Sequence, residues 1–457
     1  MKKGMFFALA ASSLLFSACS SDDAVVSTEG QNEAVQQIVL QVASSGDGLT
    51  TRAGRPLYSS QALQTIQNVR VMIYKNETGG GEKTIVYDKK LNWKESIIYK
   101  TNGHGRQFTI SLKGNDRLEK GNYKVMAVGY SDNSDYTYAL DVTGASLTGK
   151  TYSDITATLK DGKKDAEEVF AGDAALTINA DKKITNLTKG EDDGVAVTLH
   201  RQVAGSFGYF QNIPASVNGK AAATLRLVVR DKNDVLTFNN FNSSFTANGA
   251  TGSTIKYYVN GSKSTSAATA DAKFNNNEDG YVLYSIDLNT WFPGGDQNKD
   301  GLLNAEDTNW KHPDGVKTQV VKGSVFGSNF VIPFNYAKGK NTMELQLLDA
   351  KNNIIKTWTV SIPAADVNTD ATNGNVADAS PSIFNVVRNH MYNLGVKTSN
   401  GTTTDPDPNK PDPDPNKPDP DKPDPGKDEP EDLTKSQNLI LKVNDNWEAI
   451  HKLELGD

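Results

Sequence analysis

Between Asp405 and Asp432 a proline recurs every two or three residues: DPDPNKP at 405–411, the same seven again at 412–418, then DPDKP at 419–423. Each proline fixes φ and removes a backbone donor, so neither a helix nor a central strand can form there. Whatever folds must lie before this segment or after it. The aspartates repel one another and favour an extended polyproline II path. At ~3.1 Å per residue, roughly 28 residues reach on the order of 80–90 Å. That is longer than a return to the same domain requires, and it suits delivery to another molecule. Beyond it stands one strand-like run, QNLILKV at 437–443, in which Leu439, Leu441 and Val443 alternate onto one face.

The chain before the linker reads as all-β. Runs rich in Val, Ile, Tyr and Thr are separated by Gly, Asn and Asp turns, with no long helical periodicity. At 457 residues it exceeds one ordinary core, so two domains are expected. The net charge is -7, and residues 405–432 alone hold eleven acidic and four basic side chains, which accounts for all of it. The remainder is balanced and has no basic stripe, which argues against a nucleic-acid partner. Near the start, IVLQV at 38–42 repeats the pattern of LILKV at 439–443. Ile38, Leu40 and Val42 correspond to Leu439, Leu441 and Val443, and Ile440 matches the aliphatic between the first two. The two strands read as interchangeable. A sandwich without strand 38–42 would expose an apolar slot and unpaired edge backbone. A neighbour's strand 439–443 could fill it by strand addition. Such a head-to-tail contact does not close on itself and builds filaments.

At the N-terminus, Lys2 and Lys3 precede an apolar run from Met5 to Phe16. About a dozen residues fall short of the ~20 a membrane span needs, so 1–18 reads as a signal peptide. Phe16-Ser17-Ala18-Cys19 resembles a bacterial lipobox, in which the thiol of Cys19 is acylated, and Ser20-Ser21-Asp22-Asp23 resembles an acidic surface-export tag. The alternative is a secreted protein with one unpaired cysteine. Downstream lies GLTTRAGRP at 48–56. Small residues make it an accessible, protease-sensitive loop, or simply a surface loop. Arg55 precedes proline, so Arg52–Ala53 is the better cleavage site. A cut there releases segment 19–52 with its strand.

The stretch FNVVRNHMYNLGV at 384–396 resembles the closing strand of fimbrillins, the type V pilins of Bacteroidia. GNYKVMAV at 121–128 and LHRQVA at 199–204 resemble two further elements of that family. The resemblance implies two tandem transthyretin-like β-sandwich domains, 53–212 and 213–399. They would be followed by a proline-rich linker, 400–432, and a C-terminal donor strand within 433–457 that includes Leu439, Ile440, Leu441, Val443 and Trp447. It further implies an outer-membrane lipoprotein precursor exported to the cell surface through the lipoprotein-processing machinery. An Arg-specific surface protease would cut it, and identical or related fimbrial subunits would join it head to tail. A chain with both a tail and Arg52 fits the shaft. Adhesion to a host or bacterial surface is expected, with a ligand whose chemistry the sequence leaves open. Before cleavage, strand 38–42 should sit in its own sandwich and the tail beyond Ser399 should be free.

One motif lies outside this pattern. DQNKDGLLNAED at 296–307 matches a twelve-position calcium loop. Asp296, Asn298, Asp300, Asn304 and Asp307 supply side-chain oxygens, Leu302 a carbonyl, and Gly301 the turn. The alternative is an Asx-rich turn. The five histidines (His104, His200, His312, His390, His451) show no metal spacing, and no nucleophile motif appears, so an enzyme is not expected. Two other readings stay open: a surface glycan-binding lipoprotein that does not polymerise and, more remotely, a secreted hydrolase.

Overall fold

Strands dominate the computed structural model of the chain. It describes residues 36–42, 66–75, 83–98, 106–185, 196–238, 260–265, 269–313, 320–335, 343–361, 385–386, 388, 391–395, 429–435, 438–440 and 442–444. Among these, the only α-helix is α1, Leu288–Trp291, capped by the Asp287 side chain on Asn289 N. The described strands fall within one compact unit, Val35–Asp457.

The first sheet is built from β1 (Gln36–Val42), β2 (Asn68–Lys75), β3 (Ile85–Asn92), β4 (Arg106–Leu112), β5 (Gly121–Tyr130), β6 (Phe170–Ile178) and β7 (Ala196–Arg201). Its order is β3-β2-β5-β6-β7-β1-β4, with Ile97–Ile98 at the outer edge. The pair β1–β7 is parallel and β1–β4 is antiparallel. β2 and β5 read as near-continuous apolar runs rather than alternating ones because both faces are covered. Val69, Val71, Ile73, Val125 and Ala127 face a core shared with Ile38 and Leu40. Met72, Tyr74, Met126, Val128 and Tyr130 face a second core on the other side.

That second core runs on into the later half of the chain. Its strands are β8 (Ala204–Gln211), β9 (Thr224–Val229), β10 (Glu278–Asp287), β11 (Val325–Val331), β12 (Met343–Leu348), β13 (Ile354–Ser361), β14 (Met391–Leu394), β15 (Asn438–Ile440) and β16 (Lys442–Asn444). One sheet has the order β11-β8-β14-β16, and Glu431–Asp432 also pairs with β8. Another runs Ala272–Phe274, β10, β9, β12, β13, β15. The expected boundary at residue 212 falls just after β8, yet the partners of β8 all lie beyond it. A four-stranded sheet also crosses that point: Ile155–Leu159 pairs with Tyr136–Tyr138 on one side and with Val235–Phe238 on the other.

The described parts of the tail do not hang free, contrary to expectation. β15 runs parallel to β13, with Leu439 opposite Val360, and β16 runs antiparallel to β14, with Val443 opposite Tyr392. Leu439 is buried in the second core. The physical reason is the open edges of β13 and β14. Each presents unpaired backbone that a strand of the same chain satisfies, at the high local concentration that tethering provides.

Candidate functional site

β1 is hydrogen-bonded on both sides. Val39, Leu40, Gln41 and Val42 pair with Ala196, Val197, Thr198 and Leu199, while Gln36 to Gln41 pair with Leu112 back to Gln107. Period-2 alternation puts Ile38 and Leu40 inward, both at 0% exposure, and leaves Gln37 exposed. The sequence pattern puts Ile38 and Leu40 on one face and gives no sign of Gln36, which shares it. Gln36 is buried: its Nε2 donates to the carbonyls of Leu118 and Lys182, both at 2.9 Å, and its Oε1 accepts from Leu118 N at 2.9 Å. Apolar alternation marks only apolar positions, so a polar residue at the head of a strand carries no local sign of burial.

Arg52 and Ala53 lie outside the described residues, in the segment joining β1 to β2. Cys19, Leu441 and Trp447 also lie outside them. The described parts of the tail, β15 and β16, pair as above.

The three family-like motifs are distant in sequence, and two of them meet. Arg201 and Glu168 form a fully buried ion pair, Nε to Oε1 at 2.9 Å, with the guanidinium 5.1 Å from the Phe170 ring centroid. Next to it, the buried Gln202 donates to His200 O and, through Oε1, accepts from Asn260 Nδ2 at 3.1 Å and Arg388 Nη1 at 3.3 Å. LHRQVA and the RNHMYNL run are thus joined by a polar network that ties the first sheet to the second core. Gly395 closes the run with φ 77°, where an added Cβ would sit 2.5 Å from Tyr209 O. Only glycine takes that backbone path without strain.

The acidic loop folds around its own amides. Asp296 accepts from Lys299 N at 2.7 Å and Gly301 N at 2.9 Å, and Asp300 accepts from Leu302 N at 2.8 Å. The buried Asp307 accepts from Gln297 N at 2.8 Å and Asn304 N at 3.0 Å. Gly301 adopts φ 88° at the turn, and Leu302–Leu303 pairs with Ile213–Pro214, which fixes the exit. The side-chain amides of Asn304 and Asn298 donate to Asp300 at 2.7 and 3.0 Å. Donation by Asn304 and by Leu302 N holds the Asp300 carboxyl below its usual range. Among the described residues no group of three or more His, Cys, Asp or Glu is arranged to hold a metal ion. The loop's oxygens accept from its own N–H groups, the two asparagine oxygens included: Asn298 Oδ1 from Asp300 N at 3.1 Å and Asn304 Oδ1 from Glu306 N at 2.8 Å.

Beside this loop, Trp310 donates Nε1–H to Ser324 O at 2.9 Å and packs edge-on to His312 at 5.3 Å. Trp291 is buried under Phe326 and His312. These rings pack against one another and do not present a flat, open platform.

No family model matches the chain, and no curated protein matches it. Solved structures similar to it are fimbrial proteins of Bacteroidia and candidate adhesins. The tip fimbrial protein Mfa3 from Porphyromonas gingivalis, with a C-terminal truncation, is 10% identical with TM-score 0.33, over 79% of this chain and 92% of that one. The fimbrial anchor protein Mfa2 from the same organism is 12% identical with TM-score 0.30, over 79% and 90%. A fimbrial assembly protein from Parabacteroides distasonis is 13% identical with TM-score 0.31, over 80% and 91%.

Proposed function

We propose that this chain is a structural subunit, of the shaft, in a cell-surface fimbria that serves adhesion and polymerises by donor-strand exchange. In this reading the precursor is lipidated at Cys19 and carried to the outer surface. Cleavage after Arg52 frees β1, and segment 439–443 of a second copy enters between β7 and β4. One observation carries the reading. β1 is an interior strand whose apolar pattern recurs in the tail, beyond a proline-rich linker with the reach to deliver it to another molecule. Six residues of β1 pair with β4 and four with β7, so a vacated slot offers an incoming strand backbone partners on both sides. A glycan-binding lipoprotein needs neither a detached strand nor a removable one.

The test is electron microscopy of purified chain cleaved after Arg52, with and without residues 433–457. Filaments are expected only from the form that keeps the tail. Normal filaments from the tailless form would sink the proposal.

The acidic loop is proposed to bind calcium through Asp296, Asn298, Asp300, Asn304, Asp307 and the Leu302 carbonyl, stiffening the segment between Trp291 and Trp310. The twelve-position spacing and the turn at Gly301 support this. Calcium should raise the melting temperature, because a ligand that binds only the folded state stabilises it by mass action. Asp300→Ala should abolish that rise. Absence of binding at millimolar calcium by titration calorimetry would reduce the loop to a turn.

A further inference from the structure

Apolar alternation alone does not fix where an incoming strand stops. A slip of one residue would turn its apolar face outward, but a slip of two keeps that face inward. With Leu439 at the place of Ile38, Leu441 falls at Leu40. If the strand slips by two in one direction, Leu441 and Val443 fill those same places, which remain apolar. Something else must choose between these registers.

The head of β1 shows what does. Gln36 offers a donor and an acceptor to three backbone groups, Leu118 N, Leu118 O and Lys182 O. An amide meets all three, whereas a leucine in that seat would leave them buried without it. Aligned on its apolar residues, the tail reads Gln437-Asn438-Leu439-Ile440-Leu441-Lys442-Val443 against Gln36-Gln37-Ile38-Val39-Leu40-Gln41-Val42. A glutamine stands at the head of both. In the slipped register Leu439 would occupy the Gln36 seat. A slip by two the other way would put Gln437 on the apolar seat of Ile38.

We infer that Gln437 is the register-determining residue of the donor strand, taking the place of Gln36 against Leu118 and Lys182 of the neighbouring copy. This rests on the donor-strand reading above and deepens it. Gln37 lies opposite Ser111, and both are exposed. In the inferred register Asn438 therefore faces Ser111 across the ladder, at a Cα separation of about 4.5–5.5 Å that a disulfide can bridge. In the slipped register Ile440 faces it instead.

The experiment mixes full-length chains cleaved after Arg52, one carrying Ser111→Cys and the other Asn438→Cys or Ile440→Cys. Filaments are oxidised and their cross-linked dimers quantified. Cleavage removes Cys19, the only native cysteine. The Asn438→Cys pairing should cross-link at least fivefold more than the Ile440→Cys pairing. Adding Gln437→Leu should erase that preference, and Gln437→Leu lies in the tail, so the slot's own domain is untouched. If filaments cross-link with Asn438→Cys whether or not Gln437 is present, or chiefly through Ile440→Cys, the inference is overturned while donor-strand exchange stands. If filaments form but neither of these pairings cross-links, and a Ser436→Cys pairing that reports the opposite slip does not either, donor-strand exchange itself falls.

Discussion

At the residue scale, buried polar groups carry more of the specificity than their number suggests. Gln36 satisfies three backbone groups. Replacing it with leucine leaves them without a partner, at about 1–3 kcal/mol. Gln36→Leu in the uncleaved chain should shift the urea midpoint accordingly, with the slope unchanged. The Arg201–Glu168 pair is stricter, because both side chains are at 0% exposure. Glu168→Ala leaves a buried guanidinium facing an apolar hole, and should cost roughly 3–5 kcal/mol in the same assay. His312 is half-buried against Trp310, and burial holds its pKa below the usual histidine value. The unfolded chain therefore takes up that proton more readily than the folded one. The stability involved is complete above the unfolded pKa, near 6.5, and is lost as pH falls through the lower folded value. Melting curves between neutral pH and pH 5 should show that slope, and His312→Phe should flatten it.

At the element scale, β1 and the tail were legible because period 2 is a local signal. Ile38, Leu40 and Leu439 are buried where the alternation put them inward. The seat of the tail was not legible. β15 and β16 pair with β13 and β14, whose open edges arise from the order of strands in two sheets and not from any local pattern. The same holds for β8, whose apolar run continues from β7 across two residues and says nothing of its joining a different sheet. The proposed exchange would therefore have to compete with self-docking. Burying an inward leucine contributes about 1.5–3 kcal/mol, and a charge there forfeits it. Leu441→Asp should leave the uncleaved chain folded by circular dichroism, yet give no filaments after cleavage. Ile440→Thr, on the opposite face by periodicity, should be milder under the same microscopy.

For the whole molecule, the two cores share β2, β5 and β6, which are covered on both faces. Loss of β1 opens only the first core and leaves the second intact. Under the proposed exchange, that asymmetry would let a subunit that has lost β1 persist until a neighbour's strand arrives. It also shapes how the chain reaches its native state. β1 stands first among the described strands, but its parallel partner begins at Ala196, roughly 150 residues further on, and such long closures are slow. The sheet should nucleate through the antiparallel β2–β5–β6 meander, with β1 joining late. Ile38→Val and Leu40→Ala should then speed unfolding and hardly slow refolding, giving φ-values near zero in stopped-flow experiments. A place in the sheet that is filled last in every folding event is one the remaining strands must tolerate empty, for at least as long as the search for β1 takes.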